Sequence, residues 1–195
     1  TALDVSHPVM ESVYNQYYQE PRYRPSVITA QRLAGGVLGK KVGAGFYAYE
    51  GNLPNGAVIT PPEPPVPNVR NMPPVWVSPK AARRPELYQL LKDLDADIET
   101  GQTPSEQALI VVAPLGLDVT TLAAVERLDA TRVIGIDMML SDASVKRRVL
   151  ATNPATRDDL RDAAHALLAK DGKAVCVIRA IGGLVTPLVV AALVA

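Results

Sequence analysis

The stretch of this chain that says most about its architecture is LGKKVGAGFY, Leu38 to Tyr47, followed by AYE to Glu50. Three glycines in this run can take turns with φ > 0 that other side chains disfavour, namely Gly39, Gly43 and Gly45. Phe46 is the only phenylalanine of the chain, and together with Tyr47 and Tyr49 it can anchor such a turn on a helical body. The run therefore predicts a glycine-hinged loop closed by aromatic side chains.

Helical patterns lie on the N-terminal side of this loop. Residues 5–18 place apolar side chains on one face at a spacing of three to four, with Ser6 as the predicted cap, and a second helix is predicted from Val27 to Val37. About 50 residues of helix and turn cannot bury a self-sufficient core. We therefore expect this segment to need the rest of a domain or a partner subunit.

A proline-rich segment follows between Gly51 and Pro74, where eight of 24 residues are proline. Proline removes backbone donors and favours extended polyproline geometry, which predicts a semi-rigid linker. A ligand for small proline-binding domains is the alternative interpretation.

Strand and helix patterns alternate after the linker. The predicted helices run from Pro85 to Ile98, from Thr120 to Leu128, and from a cap formed by Thr156 with Asp159 to Asp171-Gly172. The predicted strands are continuous apolar runs: Val75–Val77, Leu109–Ala113, Arg132–Asp137, Arg148–Thr152 and Lys173–Arg179. Such runs between helices predict an α/β domain with a parallel sheet covered on both faces.

Bulk composition describes an ordinary globular protein, with 48% apolar and 21% charged residues. Lysine plus arginine equals aspartate plus glutamate at 20 each, so nucleic acid is not an expected partner.

The single cysteine, Cys176, lies in an apolar run and is expected to be a reduced thiol in a cytoplasmic protein. The apolar run Leu184–Ala195 is too short to cross a bilayer and is predicted to be a buried helix. Because neither end carries a start or stop signal, we expect a piece of a longer polypeptide without a membrane segment.

The segment after the first predicted strand lacks the turn that binding of a dinucleotide requires. Pyrophosphate binding needs a Gly-x-Gly-x-x-Gly turn at this point, but Ser78–Arg83 contains no glycine and includes Pro79. Gly182-Gly183 follows the last strand instead. Neither His7 nor His165 has partners at catalytic or metal-ligand spacing, so we predict no catalytic, cofactor-binding or metal-binding residue in the chain.

The order of motifs nevertheless resembles a known family. The loop Leu38–Tyr47, together with His7–Glu11 and Glu20–Pro25, is similar to the C-terminal helical domain of the 3-hydroxyacyl-CoA dehydrogenases. The run Arg132–Ile136 resembles a strand of that family's nucleotide domain. The family's chemical groups are replaced: Asp137 stands in place of the histidine base, Leu140 in place of an asparagine, Leu150 in place of the orienting glutamate, and Val112–Leu115 in place of a serine-rich strand end.

The resemblance implies a degenerate Rossmann-like parallel sheet preceded by part of an all-α dehydrogenase C-terminal domain. The implied domains are 1–50, the linker 51–74, the α/β domain 75–180 and the start of a second helical domain at 181–195. The implied parent enzyme is an NAD-dependent 3-hydroxyacyl-CoA dehydrogenase of fatty-acid β-oxidation or aromatic-acid degradation, forming a homodimer, with this piece inactive alone.

Three alternatives stay open beside that interpretation. Lys40 and Lys41 can contact the 3′-phosphate of the acyl-CoA substrate, or they can be two solvated lysines beside a turn. The α/β part can bind a nucleotide or CoA at the carboxyl ends of its strands through another loop. The whole piece can also be a non-catalytic scaffold for subunit association, because its end segments are apolar and incomplete.

Overall fold

A computed structural model describes residues 2–50, 56–60, 62–139, 145–179 and 184. The chain divides into two compact units, residues 1–63 and residues 64–195. The predicted helix Leu184–Ala195 and the pair Gly182-Gly183 lie outside the described residues, except for Leu184, which is buried. The sequence-based boundaries of the linker and the domains stay a prediction.

Unit 1 contains two α-helices, α1 (Leu3–Gln16) and α2 (Val27–Ala34), with 3-10 turns at Pro21–Tyr23 and Lys40–Val42. The helices meet at His7, whose Nδ1 lies 2.9 Å from Oγ1 of Thr29. The Thr29 hydroxyl donates to the carbonyl oxygen of Ser26 at 2.7 Å, so it accepts from the imidazole N–H. Both side chains are buried, and this hydrogen bond joins α1 to α2.

The predicted ends of these helices were partly wrong. Ser6 does not cap α1, because the helix already begins at Leu3 and the Ser6 hydroxyl donates to the carbonyl of Ala2 at 3.3 Å. Helix α2 ends at Ala34, before the predicted Val37, because Gly36 takes a left-handed φ of 70° and closes the helix.

The glycine loop forms as predicted at two of its three hinges. Gly39 and Gly43 have φ of 112° and 72°. Gly45 has no left-handed φ; it is required because a Cβ there would lie 2.7 Å from Cα of Gly39. Nη1 of Arg32 donates to the Gly45 carbonyl at 2.6 Å, and its guanidinium carbon lies 4.6 Å from the centroid of the Phe46 ring. The loop is thus held on α2 by one arginine.

Unit 2 is a six-stranded sheet with the spatial order β2-β1-β3-β4-β5-β6. Its strands are β1 (Val75–Val77), β2 (Ile98–Glu99), β3 (Leu109–Val112), β4 (Val133–Ile136), β5 (Arg147–Thr152) and β6 (Ala174–Arg179). Its helices are α3 (Arg84–Asp93), α4 (Val119–Val125) and α5 (Asp158–Leu168). The predicted fold class, an α/β parallel sheet preceded by a helical segment, is confirmed, and the observed sheet is parallel except at one pair of strands.

One pair of strands departs from the predicted parallel arrangement. Strand β5 runs antiparallel to β4, and β6 runs parallel to β5. Parallel neighbours need a crossover of a dozen or more residues, usually a helix. Only residues 137–146 connect β4 to β5, so the chain returns in the opposite direction.

The two faces of the sheet bury different helices. Helices α3 and α5 pack with Val75 and Val77 of β1 in one apolar cluster, on what we call face A. Helix α4 packs with Trp76 in a second cluster, on face B. Adjacent residues of β1 thus point to opposite faces and are all buried, which explains its continuous apolar sequence.

Two helix boundaries in unit 2 also differ from the predictions. Ile98 lies in β2, because α3 ends at Asp93 and Asp95 takes a left-handed φ of 52°. Thr156 does not cap α5, which begins at Asp158; its hydroxyl donates to the carbonyl of Val133 at 3.0 Å.

Candidate functional site

The first candidate site in unit 2 is the point where the strand order reverses. The chain leaves β1 toward β2 on one side, and then crosses to β3 on the other side of β1. In doubly wound sheets, ligands bind outside the carboxyl ends of the strands at this crevice. Here the crevice is formed by the segment after β1, residues 78–83, and by Ala113 and Pro114 after β3.

The backbone amides that a pyrophosphate would need are already used inside the β1–α3 segment. Ser78 N donates to the carbonyl of Val111 at 2.9 Å, and Pro79 has no N–H. Lys80 N donates to the Ser78 hydroxyl at 3.0 Å. The remaining two amides are also engaged: Ala81 N donates to the carbonyl of Ser78 at 3.1 Å, and Ala82 N donates to the carbonyl of Ala113 at 3.0 Å.

The N-terminus of α3 is occupied by charges of the protein itself. The carboxylate of Glu86 lies in the first turn, where its own backbone N–H and the Arg83 guanidinium hold its pKa below the ordinary value. Arg83 also donates from Nη1 to the carbonyls of Met138 and Met139 at 3.1 and 3.3 Å, after β4. The N-terminus of a helix attracts anions through its dipole, but here the Glu86 carboxylate would repel a bound anion. This terminus therefore does not fit a pyrophosphate.

Most of the residues that the resemblance places where the family has its reacting groups are hydrogen-bonded within the protein or buried in its core. Oδ1 of Asp137 accepts from the backbone N–H of Met139 at 3.0 Å. Leu150 is fully buried in the face A cluster, and Val112, Ala113 and Pro114 are buried as well. Leu140 lies outside the described residues. His165 is buried in α5. Within the described ranges, no group of three His, Cys, Asp or Glu residues is placed to hold a metal ion.

The predicted substrate-binding lysines belong to unit 1. Lys41 pairs through Nζ with Oδ2 of Asp4, and Nζ of Lys40 lies 5.9 Å from the centroid of the Tyr49 ring. Both lysines are exposed at the 3-10 turn of the glycine loop. Their role in binding CoA stays a prediction.

Sequence reasoning missed Arg83 and Glu86 as the groups that occupy the α3 terminus. The run Pro85-Glu86 was interpreted only as the start of a helix, although an acidic residue in a first turn already competes with a bound anion. The contact from Arg83 to the end of β4 joins residues 55 positions apart, and no local pattern reports it. Among the described residues, no helix is long and apolar enough to span a bilayer.

These features describe a helical segment followed by an α/β unit, and the comparison with known proteins shows what each part is similar to. Residues 1–49 match the family model for the 3-hydroxyacyl-CoA dehydrogenase C-terminal domain. The 3-hydroxyadipyl-CoA dehydrogenase of Escherichia coli (strain K12) is 46% identical over 46 residues, covering 24% of this chain and 10% of the relative. The predicted resemblance to the 3-hydroxyacyl-CoA dehydrogenases is therefore confirmed for residues 1–49.

A solved structure extends the likeness in fold to nearly the whole chain. The 3-hydroxybutyryl-CoA dehydrogenase from Escherichia coli K12 substr. MG1655 superposes with a TM-score of 0.57 and 22% identity, over 97% of this chain and 34% of that one. A 3-hydroxyacyl-CoA dehydrogenase from Archaeoglobus fulgidus gives a TM-score of 0.38 at 19% identity, over 54% of this chain and 34% of that one. The chain spans about a third of the length of the solved structures it matches.

Proposed function

We propose that this chain is part of an NAD-dependent 3-hydroxyacyl-CoA dehydrogenase that oxidises a 3-hydroxyacyl-CoA to the 3-oxoacyl-CoA. The observation that carries the proposal is the match of residues 1–49 to the family's C-terminal domain. In this proposal the chain supplies the end of one helical domain and an α/β unit of the nucleotide type. The reaction belongs to the breakdown of fatty acids or of aromatic acids as CoA thioesters.

We infer further that the α/β unit of this chain does not carry the dehydrogenase chemistry. Its β1–α3 segment offers no free amide from residue 78 to residue 82, and Glu86 places a negative charge in the first turn of α3. At the end of β4, an aspartate replaces the histidine base that the resemblance implies. A carboxylate is a weaker base for an alcohol than an imidazole, and Oδ1 of Asp137 already accepts from the backbone N–H of Met139 at 3.0 Å. The residues present do not fit NAD, and we derive no step through it here.

Absorbance of NADH tests both parts of this proposal. The purified 195-residue chain, incubated with NAD and 3-hydroxybutyryl-CoA, should form no NADH. The longer protein that we infer should form NADH under the same conditions. Turnover by the 195-residue chain alone would contradict the assignment of the chemistry to another part of the protein.

Lys40 and Lys41 are the candidate contacts to the 3′-phosphate of CoA in this proposal. Lys41 is the weaker candidate because its Nζ is already paired with Asp4. Calorimetric titration of CoA into the chain and into its Lys40→Ala and Lys41→Ala variants distinguishes a phosphate contact from two solvated lysines. Equal heats for all three proteins would remove these lysines from the site.

A second candidate function is subunit association without catalysis, and exposed apolar side chains of unit 1 favour it. Val5 and Val9 on α1 are each 56% exposed, and Val27 on α2 is 68% exposed. Such side chains at helical spacing are typical of a surface that another polypeptide covers. Light scattering at increasing concentration should then show a dimer. A monomer at the highest concentration would exclude this function for the chain.

A further inference from the structure

Face B of the sheet has a cleft beside β1 that neither the family match nor the proposed function assigns. It has a volume of about 480 Å³ and lies against Trp76, and we call it the Trp76 cleft. Small-molecule sites in proteins typically have volumes of about 300–1,000 Å³. The cleft is therefore large enough for a ligand of nucleotide size.

The cleft exists because the connection from β2 to β3 is not helical. In doubly wound sheets, crossovers between parallel strands normally place helices on both faces. Here residues 100–108 cross β1 without forming a helix. In the described part of the chain, α4 is the one helix on face B, and it packs over β3 and β4. The surface over β1 is left to Trp76 and to the loop that contains Gln102 and Thr103.

Acidic groups at the cleft are satisfied by the protein itself. Oε2 of Glu126 accepts from the buried Ser78 hydroxyl at 2.5 Å. Asp129 accepts from Thr131 Oγ1 at 2.7 Å and from Arg132 Nε at 2.8 Å. These hydrogen bonds, that of Thr131 first, hold the pKa of Asp129 below its ordinary value, so the carboxylate stays ionised and paired.

Two cations of the cleft have no such partner. Lys80 and Arg127 line it, and neither side chain makes a hydrogen bond or an ion pair with any residue that the structure describes. Arg132, the third cation, is committed to Asp129 and to the carbonyls of Ser105 and Ala108. The lining carries three cations and two carboxylates, so the cleft keeps one net positive charge, and Lys80 and Arg127 are the cations without an ion pair.

The floor of the cleft offers apolar surface and no free donor. The indole of Trp76 is 4% exposed, and its Nε1–H already donates to the carbonyl of Gly101 at 2.9 Å. Pro79, Pro104 and Leu128 add apolar walls. A ligand that uses both parts of the cleft must combine a flat apolar body with an anionic end.

We propose that the Trp76 cleft binds a nucleoside phosphate, with the base against the apolar floor and the phosphate between Lys80 and Arg127. A phosphate monoester presents three terminal oxygens, so it can accept from the ammonium of Lys80 and from the guanidinium of Arg127 at the same time. The guanidinium of Arg127 can also bind phosphate oxygens in a bidentate manner. The proposal does not rest on dehydrogenase activity. The cleft lies along face B, and Pro79 and Lys80 of the segment after β1 form one end of its lining.

Adenosine monophosphate is the probe, and Trp76 is the reporter, since it is the only tryptophan of the chain. We expect saturable binding in calorimetry with a change in tryptophan emission. Adenosine alone and inorganic phosphate alone should each bind at least about tenfold more weakly, because a hydrogen bond to a charged group contributes enough for a tenfold change.

The variants Lys80→Ala and Arg127→Gly test the two cations. Glycine at position 127 suits the left-handed φ of 54°, so the fold should be retained. Each variant should weaken binding of adenosine monophosphate by about tenfold. The matched control is Lys92→Ala on α3, an exposed lysine outside the cleft, which should leave the affinity unchanged.

Three results would overturn the proposal. The first is the absence of both heat and emission change at millimolar adenosine monophosphate. The second is wild-type affinity in Lys80→Ala and Arg127→Gly. The third is adenosine binding as tightly as its monophosphate, since the cations would then play no part.

Discussion

Replacing Gly135 by alanine should destabilise the α/β unit by about 2 kcal/mol, because a side chain there would collide with α4. Gly135 lies in β4, and a Cβ on it would be 2.5 Å from Cγ2 of Val119, the first residue of α4. Real Cβ atoms do not approach a methyl carbon so closely, and Val119 is fully buried and has no space to move into. Either the helix must shift away from the sheet or the strand must bend.

A second substitution tests whether this contact is the cause. Val119→Ala removes two buried methyl groups and should cost about 2 kcal/mol by itself, from lost burial and the cavity it leaves. In that background the Cβ of Gly135→Ala enters the vacated space, so the double variant should also cost about 2 kcal/mol. Additive effects would give about 4 kcal/mol, and the difference is a coupling energy of about 2 kcal/mol.

Urea unfolding followed by tryptophan emission measures these free energies in the right part of the chain. Trp76 is the only tryptophan and is buried in unit 2, so its emission reports on the α/β unit. A cost of Gly135→Ala that is the same with valine and with alanine at position 119 would refute the argument. So would a cost within about 0.5 kcal/mol of zero, which is usual for surface positions.

Three further predictions concern other contacts. Arg148 holds the pKa of Asp171 at about 2, so Asp171 contributes stability that is present above its ordinary pKa of 3.8 and is lost as pH falls through 2. This pKa shift corresponds to about 2.4 kcal/mol, which solvent screening reduces to about 1 kcal/mol because the Asp171 side chain is 37% exposed. In urea unfolding at pH 7, the Asp171→Asn variant should therefore be less stable than the wild type by about 1 kcal/mol. A difference that stays the same at pH 2 would contradict this. Gly45→Ala should lower the melting temperature of unit 1 in circular dichroism, since its Cβ would lie 2.7 Å from a backbone carbon, whereas the control Gly35→Ala meets nothing closer than 3.4 Å and should melt as the wild type does. Thr29→Val should lower the stability of unit 1 by about 1–3 kcal/mol in the same measurement, because it leaves the buried imidazole N–H of His7 without an acceptor. An unchanged stability would show that this hydrogen bond does not form.

The strands of unit 2 could be predicted because the sheet is buried on both faces. Leu109–Val112 and Val133–Ile136 read as uninterrupted apolar runs, and all eight residues are buried. Direction was harder, because the sequence of β5 carries no sign of whether it pairs parallel or antiparallel with β4. The direction follows from the length of the connection, residues 137–146, which is too short for a crossover between parallel strands, and not from its residue types.

Helix ends were predicted less well than helix cores, for a physical reason that the errors share. Asp95 ends α3 in a left-handed conformation that glycine or asparagine usually provides, so no glycine marked the end. Ser6 and Thr156 are good caps by residue type, yet their hydroxyls bond to Ala2 and Val133 instead. A hydroxyl near a helix start has several backbone acceptors in reach, and tertiary packing selects among them.

The candidate sites show the same division between local and long-range information. A missing glycine turn after β1 is visible in Ser78–Arg83, because the requirement for close backbone approach is local. The Trp76 cleft was not predicted: it depends on Lys80, Arg127 and a non-helical crossover coming together from three separate segments. The spacing of these residues in the sequence does not predict that they lie close together in the fold.

The run Arg132–Ile136 shows why a resemblance in a strand is an argument about packing. Val133, Ile134 and Gly135 are buried, and Gly135 lies where α4 leaves no room for a side chain. These residues meet requirements of packing, which hold whether or not a ligand binds. Asp137, one residue beyond the strand, lies at the sheet edge, where a change of residue alters chemistry and leaves the core intact. A match to the buried strands is therefore an argument about fold, while an argument about activity needs the residues at the strand ends.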